Sequence, residues 1–222
     1  MFESADFAAV IFDMDGLVLD TESTYHVAWQ QAAGVMGYQL SDAFCLSLSG
    51  LNGVAITRML IDLCGPDFDL PGFNRTAAHI WRDTVGRQGI KIKHGFSELL
   101  EFIVRQQLPY CLATNSRADN ARECLMLAGI PDAFPIIISR DDVPSGKPEP
   151  DIFLKAAASL QVPINRCLVL EDSHAGILAA SRAGAKSVFI PSCLPVDPST
   201  VQLCDWMLSD LTQVLACIKD SK

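Results

Sequence analysis

Basic residues are scarce in this chain, and their scarcity limits what it can bind. Its 222 residues include 17 lysines and arginines against 26 aspartates and glutamates, which gives a formal net charge of −9. Nucleic acids and anionic membrane surfaces favour clustered Lys and Arg. The composition therefore argues against a nucleic-acid partner and against a membrane partner, and an anionic substrate would need local positive charge.

CxxC pairs and long apolar runs are also missing. The eight cysteines include several inside apolar segments such as YCLA and RCLVL, which is typical of small core residues. A chain that is 50 % hydrophobic can bury a sizeable core without disulfides, so we expect a reducing compartment. The first apolar run, FAAVIF, ends at Asp13, too early for a signal peptide or a membrane span. These features predict a cytoplasmic protein.

Short apolar runs alternate with helical patterns through most of the chain, which favours a parallel α/β fold. The runs cover residues 8–12, 110–113, 136–139, 167–170 and 187–190. The helical patterns cover about 97–107, 117–127, 151–160, 175–183 and 211–218. We therefore predict a Rossmann-like, doubly wound parallel sheet with crossover helices on both faces.

One long connection has no strand-like run. Between residues 17 and 92 apolar side chains recur at spacings of three and four, and glycines and prolines punctuate them. This predicts an α-helical cap domain of residues 17–92 inserted into a core of residues 1–16 and 93–222. Its hinges should lie side by side at residues 17–20 and 91–95. The alternative is that these helices simply pack along the sheet.

The first polar cluster follows the first apolar run. The segment VIFDMDG places Asp13 and Asp15 two residues apart at the end of a predicted strand. There one acid could attack while the other moves protons. A turn or a helix cap is the alternative interpretation of the same pair.

Three further polar clusters follow later apolar runs. Hydroxyls and backbone N–H groups can hold phosphate oxygens, a lysine can neutralise a carboxylate and a phosphoryl group, and hard carboxylate oxygens suit Mg²⁺. Helix caps and a solvated loop lysine are the alternatives. Because ligands of doubly wound sheets bind at the carboxyl ends of strands, we expect all four clusters to converge there for phosphoryl transfer. The three later clusters are Thr114, Asn115 and Ser116; Gly146, Lys147 and Pro148; and Glu171 and Asp172.

The segments DMDGLVLDTE, ATNS, GKPEPDIF and LVLEDSHAGILAA resemble, in kind and order, the haloacid dehalogenase superfamily. The match is with its phosphatase and sugar-phosphomutase branch, whose helical cap lies where residues 17–92 are inserted. The resemblance implies that Asp13 is a nucleophile that forms an aspartyl-phosphate. It also implies that Asp15 protonates the leaving oxygen and then deprotonates the attacking water.

The resemblance further implies how substrate and metal are held. Thr114 and the backbone of Asn115 would bind phosphate, and Lys147 would stabilise charge. A Mg²⁺ ion would be held by the side chains of Asp13 and Asp172 and by the Asp15 carbonyl. Glu171 would be a further ligand, either directly or through a water molecule.

Several reactions occur in this superfamily, and the sequence separates some of them. Dehalogenation does not need an acid two residues after the nucleophile, so the presence of Asp15 argues against it. Phosphonate cleavage in this branch uses a cap lysine, and the first lysine of this chain is Lys91, which argues against that reaction as well. A sugar phosphomutase resembling β-phosphoglucomutase stays open, because it shares the core and differs in its basic cap pair. Against it, the cap loop SGLNGVAI has Gly53 where a basic residue is expected. The cap arginines are Arg58, Arg75, Arg82 and Arg87, each of them more typical of a solvated helix surface than of a substrate contact.

We therefore expect a phosphatase for a small phosphorylated metabolite such as a sugar phosphate. A non-catalytic phosphate-ester-binding module is the third hypothesis, and it would fit better if a motif residue were missing. His26 and His174 are not needed as acid or base, because Asp15 has that role. Tyr25 and Trp29 could line a pocket or form a packed helix face. The sequence leaves the oligomeric state open.

Overall fold

The computed structural model describes residues 7–48, 51, 53–192 and 195–219. The chain divides into two compact units, one of Met1–Asp20 with Lys91–Lys222 and one of Thr21–Ile90. The strands, all in the larger unit, are β1 (Ala9–Phe12), β2 (Tyr110–Ala113), β3 (Ile137–Ile138), β4 (Cys167–Glu171), β5 (Lys186–Phe189) and β6 (Trp206–Met207). The helices of the smaller unit are α1 (Thr21–Val35), α2 (Asp42–Ser47), α3 (Gly53–Cys64) and α4 (Leu70–Gln88). Those of the larger unit are α5 (Phe96–Arg105), α6 (Ala118–Leu127), α7 (Asp151–Leu160), α8 (His174–Ala183), α9 (Pro198–Leu203) and α10 (Leu211–Lys219).

The strands form one parallel sheet in the order β3-β2-β1-β4-β5-β6, which confirms the predicted doubly wound fold. The winding reverses between β1 and β4, and this is where open α/β sheets bind ligands outside the carboxyl ends of their strands. Phe12 of β1 pairs with Leu112 of β2 and with Leu170 of β4. This register brings the residues that follow these three strands to one edge of the sheet.

Helices cover both faces of the sheet. On one face Ile11 belongs to a buried cluster that includes Phe153 of α7 and Ala180 of α8. On the other face the ring of Phe12 meets Phe96 of α5 edge-on, with ring centroids 5.8 Å apart. Because neighbouring side chains of a strand point to opposite faces, each central strand needs apolar residues throughout. This is why the strands are visible as short apolar runs in the sequence.

Two elements were not expected from the sequence. Strand β6 has two residues, too few to form a recognisable apolar run. Helix α9 has six residues and begins at a local signal, because the Asp197 side chain accepts a hydrogen bond from the Ser199 N–H and Pro198 follows at the first turn. Both elements are too short for periodicity to predict them.

The segments that connect the two units lie side by side within the larger one. Leu19 and Ile92 form an isolated antiparallel bridge. The Asp20 N–H donates to the Lys91 carbonyl at 2.9 Å, and the Lys93 N–H donates to the Val18 carbonyl at 2.9 Å. The hinged action of the helical unit as a cap stays a prediction.

The smaller unit has its own core, in which α1 packs against α4. The Tyr25 ring stacks on Trp81 with centroids 5.2 Å apart, and on Trp29 at 6.2 Å. The indole N–H of Trp81 donates to the Thr24 hydroxyl at 2.9 Å. Tyr25 and Trp29 therefore form part of a packed aromatic face.

The cysteines of the described residues form no disulfides. All seven cysteines in the described part of the chain are free thiols, and four of them are buried. None of the described helices has the length and apolar character needed to cross a membrane.

Candidate active site

A buried ion pair lies at the carboxyl end of β1. The Lys147 ammonium donates hydrogen bonds to Asp13 Oδ1, to the Ala113 carbonyl at 2.9 Å and to Glu171 Oε1 at 2.7 Å. Burial raises the pKa of Asp13 above its usual range, and the nearby Glu171 and Asp15 add to this while Lys147 opposes it. Burial would lower the pKa of Lys147, but Asp13 and Glu171 outweigh burial and raise it. The lysine is therefore a fixed positive charge beside the first acid.

Glu171, the last residue of β4, is fully buried and held from several sides. Its Oε2 accepts from the backbone N–H groups of Asp172 and Ser173, both at 2.9 Å, and from the Ser173 hydroxyl at 3.0 Å. A Cβ atom on Gly176 would lie closer than 3.0 Å to this carboxylate. The first turn of α8 thus forms a cradle that only a glycine at 176 leaves open.

Asp172 completes a cluster of three acids. Single carboxylate oxygens of Asp13, Glu171 and Asp172 lie within 4.8 Å of one another, and all three residues are buried. Gly16 adopts a φ of +84°, and a Cβ there would lie 2.9 Å from Asp172 Cγ. Three buried carboxylates beside one lysine leave excess negative charge, and hard oxygen donors of this kind fit a divalent cation such as Mg²⁺.

The turn after β2 holds the second acid, Asp15. Its Oδ2 accepts from the Ser116 hydroxyl at 2.9 Å and from the Thr114 hydroxyl at 3.3 Å. The Ser116 N–H donates to the Thr114 oxygen at 3.0 Å, and the Asn120 amide donates to the Ser116 oxygen at 3.3 Å. The contact between Ser116 and Asp15 is not visible in the sequence, because the two residues are 101 positions apart.

The side chain of Asn115 was also missed. Its Oδ1 accepts from the Lys147 N–H at 2.8 Å, and its Nδ2 donates to the Lys147 carbonyl at 3.0 Å. The sequence contains one indirect sign of this contact, the glycine at 146, because a larger residue there would collide with the Asn115 side chain.

The structure brings the seven predicted site residues together at one edge of the sheet, through the contacts given above. His174 is exposed, and its Nδ1 lies 2.7 Å from the Thr200 hydroxyl oxygen. In the smaller unit His26 lies against Trp29, with ring centroids 6.0 Å apart. Arg58, Arg75, Arg82 and Arg87 are exposed. Of the cap loop considered for specificity, Ser49, Gly50 and Asn52 lie outside the described residues.

The fold and the site define an enzyme of the hydrolase class on a Rossmann-like α/β core, in which paired acids, a buried lysine and a hydroxyl-rich turn lie at the carboxyl edge of a parallel sheet. The family profile described as haloacid dehalogenase-like hydrolase matches residues 10–190. This chain belongs to that family, as the motifs predicted.

Individual relatives agree with the family assignment. The chain is 33 % identical, over 96 % of its length and 90 % of the relative's, to a Drosophila melanogaster protein named "Probable pseudouridine-5'-phosphatase". It is 31 % identical to a fructose-1-phosphate phosphatase of Escherichia coli, over 82 % of this chain and 95 % of that protein. A crystal structure of a candidate β-phosphoglucomutase from Thermotoga maritima superimposes with a TM-score of 0.81 at 25 % identity, covering 97 % of this chain and 100 % of that one.

Proposed function

We propose that this protein is a Mg²⁺-dependent phosphatase that hydrolyses a small phosphomonoester, such as a sugar phosphate, through an aspartyl-phosphate. The observation that carries this proposal is the pairing of buried Asp13 with Lys147 inside the three-acid cluster. A second acid, Asp15, lies two residues further on and is held separately by hydroxyls.

In the first step an Asp13 oxygen attacks phosphorus, and the bond from phosphorus to the ester oxygen breaks. Asp15 gives its proton to the leaving alkoxide, so that a neutral alcohol departs. The Thr114 hydroxyl and the backbone N–H of Asn115 are suited to binding phosphate oxygens, and the Lys147 ammonium stabilises the negative charge that gathers there.

In the second step water replaces Asp13 on phosphorus. Asp15, now ionised, takes a proton from this water, and the Asp13 carboxylate leaves as inorganic phosphate forms. A Mg²⁺ ion held by Asp13, Asp172 and the Asp15 carbonyl, with Glu171 directly or through water, would offset the repulsion between nucleophile and phosphate. Glu171 already accepts four hydrogen bonds from this chain, which favours a supporting position for it.

The relatives support phosphatase chemistry, since two of those compared are named as phosphatases of small phosphate esters. The structural similarity to a candidate β-phosphoglucomutase keeps a sugar phosphomutase as the second candidate. Mutase and phosphatase differ in whether a sugar hydroxyl or water accepts the phosphoryl group. The exposed cap arginines and the lack of a lysine before Lys91 favour the phosphatase. A binding module without catalysis is disfavoured, because every motif residue is present.

The test is phosphate release from a panel of sugar phosphates and other small phosphomonoesters, with Mg²⁺ or with a chelator. We expect release that needs the metal and that is lost in Asp13→Asn. Asp132→Asn makes the same chemical change at an exposed turn residue and should leave release intact. Release that survives Asp13→Asn would refute the aspartyl-phosphate mechanism. If no ester releases phosphate, the phosphatase proposal fails, and β-glucose 1-phosphate with a bisphosphate primer tests the mutase.

A further inference from the structure

We propose that the Asn115 side chain is a positioning residue, which fixes the main chain of Lys147 and thereby aims its ammonium at Asp13. This inference rests on the proposed function and refines it. The phosphate-binding role expected at Asn115 concerns its backbone. The side chain, in this inference, acts on the lysine and not on the substrate.

The two hydrogen bonds between Asn115 and Lys147 form a closed, two-point clamp. One amide group accepts from the Lys147 N–H at 2.8 Å and donates to the carbonyl of the same residue at 3.0 Å. Both distances are those of well-formed hydrogen bonds. Two bonds to one residue fix its position and also its orientation, which a single bond does not.

Lys147, the residue that the clamp holds, must place its ammonium group against three acceptors. A lysine side chain is long and flexible, yet the Lys147 ammonium meets Asp13, the Ala113 carbonyl and Glu171 at once in a buried site. Holding three acceptors depends on where the Lys147 Cα lies, and Lys147 lies in a loop between β3 and α7. Anchoring its backbone to the turn after β2 ties the lysine to the strand next to β1.

Other residues around the loop are consistent with the clamp. A Cβ at Gly146 would lie closer than 3.0 Å to Asn115 Oδ1 and 2.7 Å from Arg140 Cδ, so glycine leaves room for the amide. On the far side, the Arg182 guanidinium donates to the Pro148 carbonyl at 2.9 Å. The loop is therefore held at Lys147 itself by Asn115 and at the next residue by Arg182.

Asn115 is exposed, whereas Lys147 is buried. An exposed amide fills no cavity in the core, so replacing it with alanine removes two hydrogen bonds and little packing. This makes Asn115→Ala a suitable probe, because its effect on activity can be separated from a general loss of folding.

The experiment is a double-mutant cycle with Asn115→Ala, Lys147→Ala and the double variant. We expect Asn115→Ala to lower kcat by about 10- to 100-fold while changing KM less, as misplaced catalytic groups do. In the Lys147→Ala background the same change should cost less than about 3-fold, since residues that act as a unit are not additive. The affinity of the same variants for orthophosphate is also measured by calorimetry, because this measurement does not depend on turnover.

Asn120→Ala is the matched control. Asn120 is an asparagine of the same region, and its side-chain amide donates to the Ser116 hydroxyl oxygen at 3.3 Å. The fold-change in kcat that Asn120→Ala causes should be the same in the wild-type and Lys147→Ala backgrounds. Asn115→Asp retains an acceptor for the Lys147 N–H but loses the donor to its carbonyl, so it should lie between wild type and alanine in amide protection.

Amide hydrogen exchange measures the clamp directly. The Lys147 N–H should exchange faster in Asn115→Ala, while the Glu149 N–H, which donates to the Gly146 carbonyl at 3.0 Å, serves as the reference within the same loop. An unchanged Lys147 exchange rate, or an equal loss from Asn115→Ala in both backgrounds, would overturn the inference. If the protein releases no phosphate, exchange still tests the clamp, so its failure and failure of the proposed function are distinguishable.

Discussion

Gly176→Ala sets two effects of known sign against each other. In a helix, alanine is favoured over glycine by up to about 1 kcal/mol. Gly176 lies in the first turn of α8 without a positive φ, so the backbone accepts alanine. The new Cβ, however, would overlap the buried carboxylate of Glu171. Propensity predicts a more stable protein, and the local contact predicts a less stable one.

The overlap of the new Cβ with Glu171 should outweigh the gain in helix propensity. To make room, Glu171 must leave the N–H groups of Asp172 and Ser173 and the Lys147 ammonium, or α8 must move. Breaking a buried, hydrogen-bonded ion pair costs about 3–5 kcal/mol. After the gain in helix propensity, we expect the free energy of unfolding to fall by about 2–4 kcal/mol. Activity should fall with it, because Lys147 loses one of its two anionic partners.

Urea denaturation followed by circular dichroism measures the change. Gly86→Ala is the control, because Gly86 lies inside α4 and its added Cβ would have no atom within 4 Å other than its chain neighbours and the local backbone of its own helix. It should raise stability by about 0.5–1 kcal/mol. In a Glu171→Ala background the penalty at Gly176 should disappear. Equal stabilisation by Gly176→Ala and Gly86→Ala would refute the reasoning.

Two other predictions concern hydrogen bonds to carboxylates. Ser116→Ala removes the 2.9 Å hydroxyl bond to Asp15, so kcat should fall more than KM rises, and Ser116→Thr should restore much of kcat; equal rates for both variants would contradict this role. At Asp142, hydrogen bonds from the Ser139 hydroxyl and N–H lower the pKa of the carboxyl in the folded state. Its stabilisation is therefore present above about pH 4 and lost as the pH falls through the folded value. Asp142→Asn should flatten the acid side of a stability profile measured by urea unfolding, and an unchanged slope would show that this carboxyl does not contribute.

The sequence was a good guide to the central strands and to the polar residues that follow them. Strand β2 has the predicted bounds, β1 and β4 differ from prediction by one residue at one end, and β5 is shifted by one residue toward the N-terminus. Their runs are visible because helices cover both faces of the sheet, so a central strand is apolar along most of its length, with Glu171 at the carboxyl end of β4 as an exception. Strand β6 and helix α9 were missed, because elements this short carry no periodic signal and form where the surrounding structure places them.

The candidate site shows the same division at the level of side chains. Asp13 and Asp15 were predicted from a local spacing, and Lys147 from its place in a motif. The contact of Ser116 with Asp15 could not be predicted, because residues 101 positions apart meet only when β1 and β2 pair. The clamp of Asn115 was missed for a similar reason, since its amide reaches a loop 32 positions away.

By itself, the sequence determined the type of fold and the set of chemical groups, because burial periodicity and motif order are written along the chain. Tertiary structure alone decided which of these groups touch. The register that pairs Phe12 with Leu112 and Leu170 fixes where each strand ends. Lysine and acids then pair at that edge, and Gly176 leaves the space they need. Distances of about 3 Å between strand-end loops depend on packing of the whole sheet, and sequence separation does not encode them.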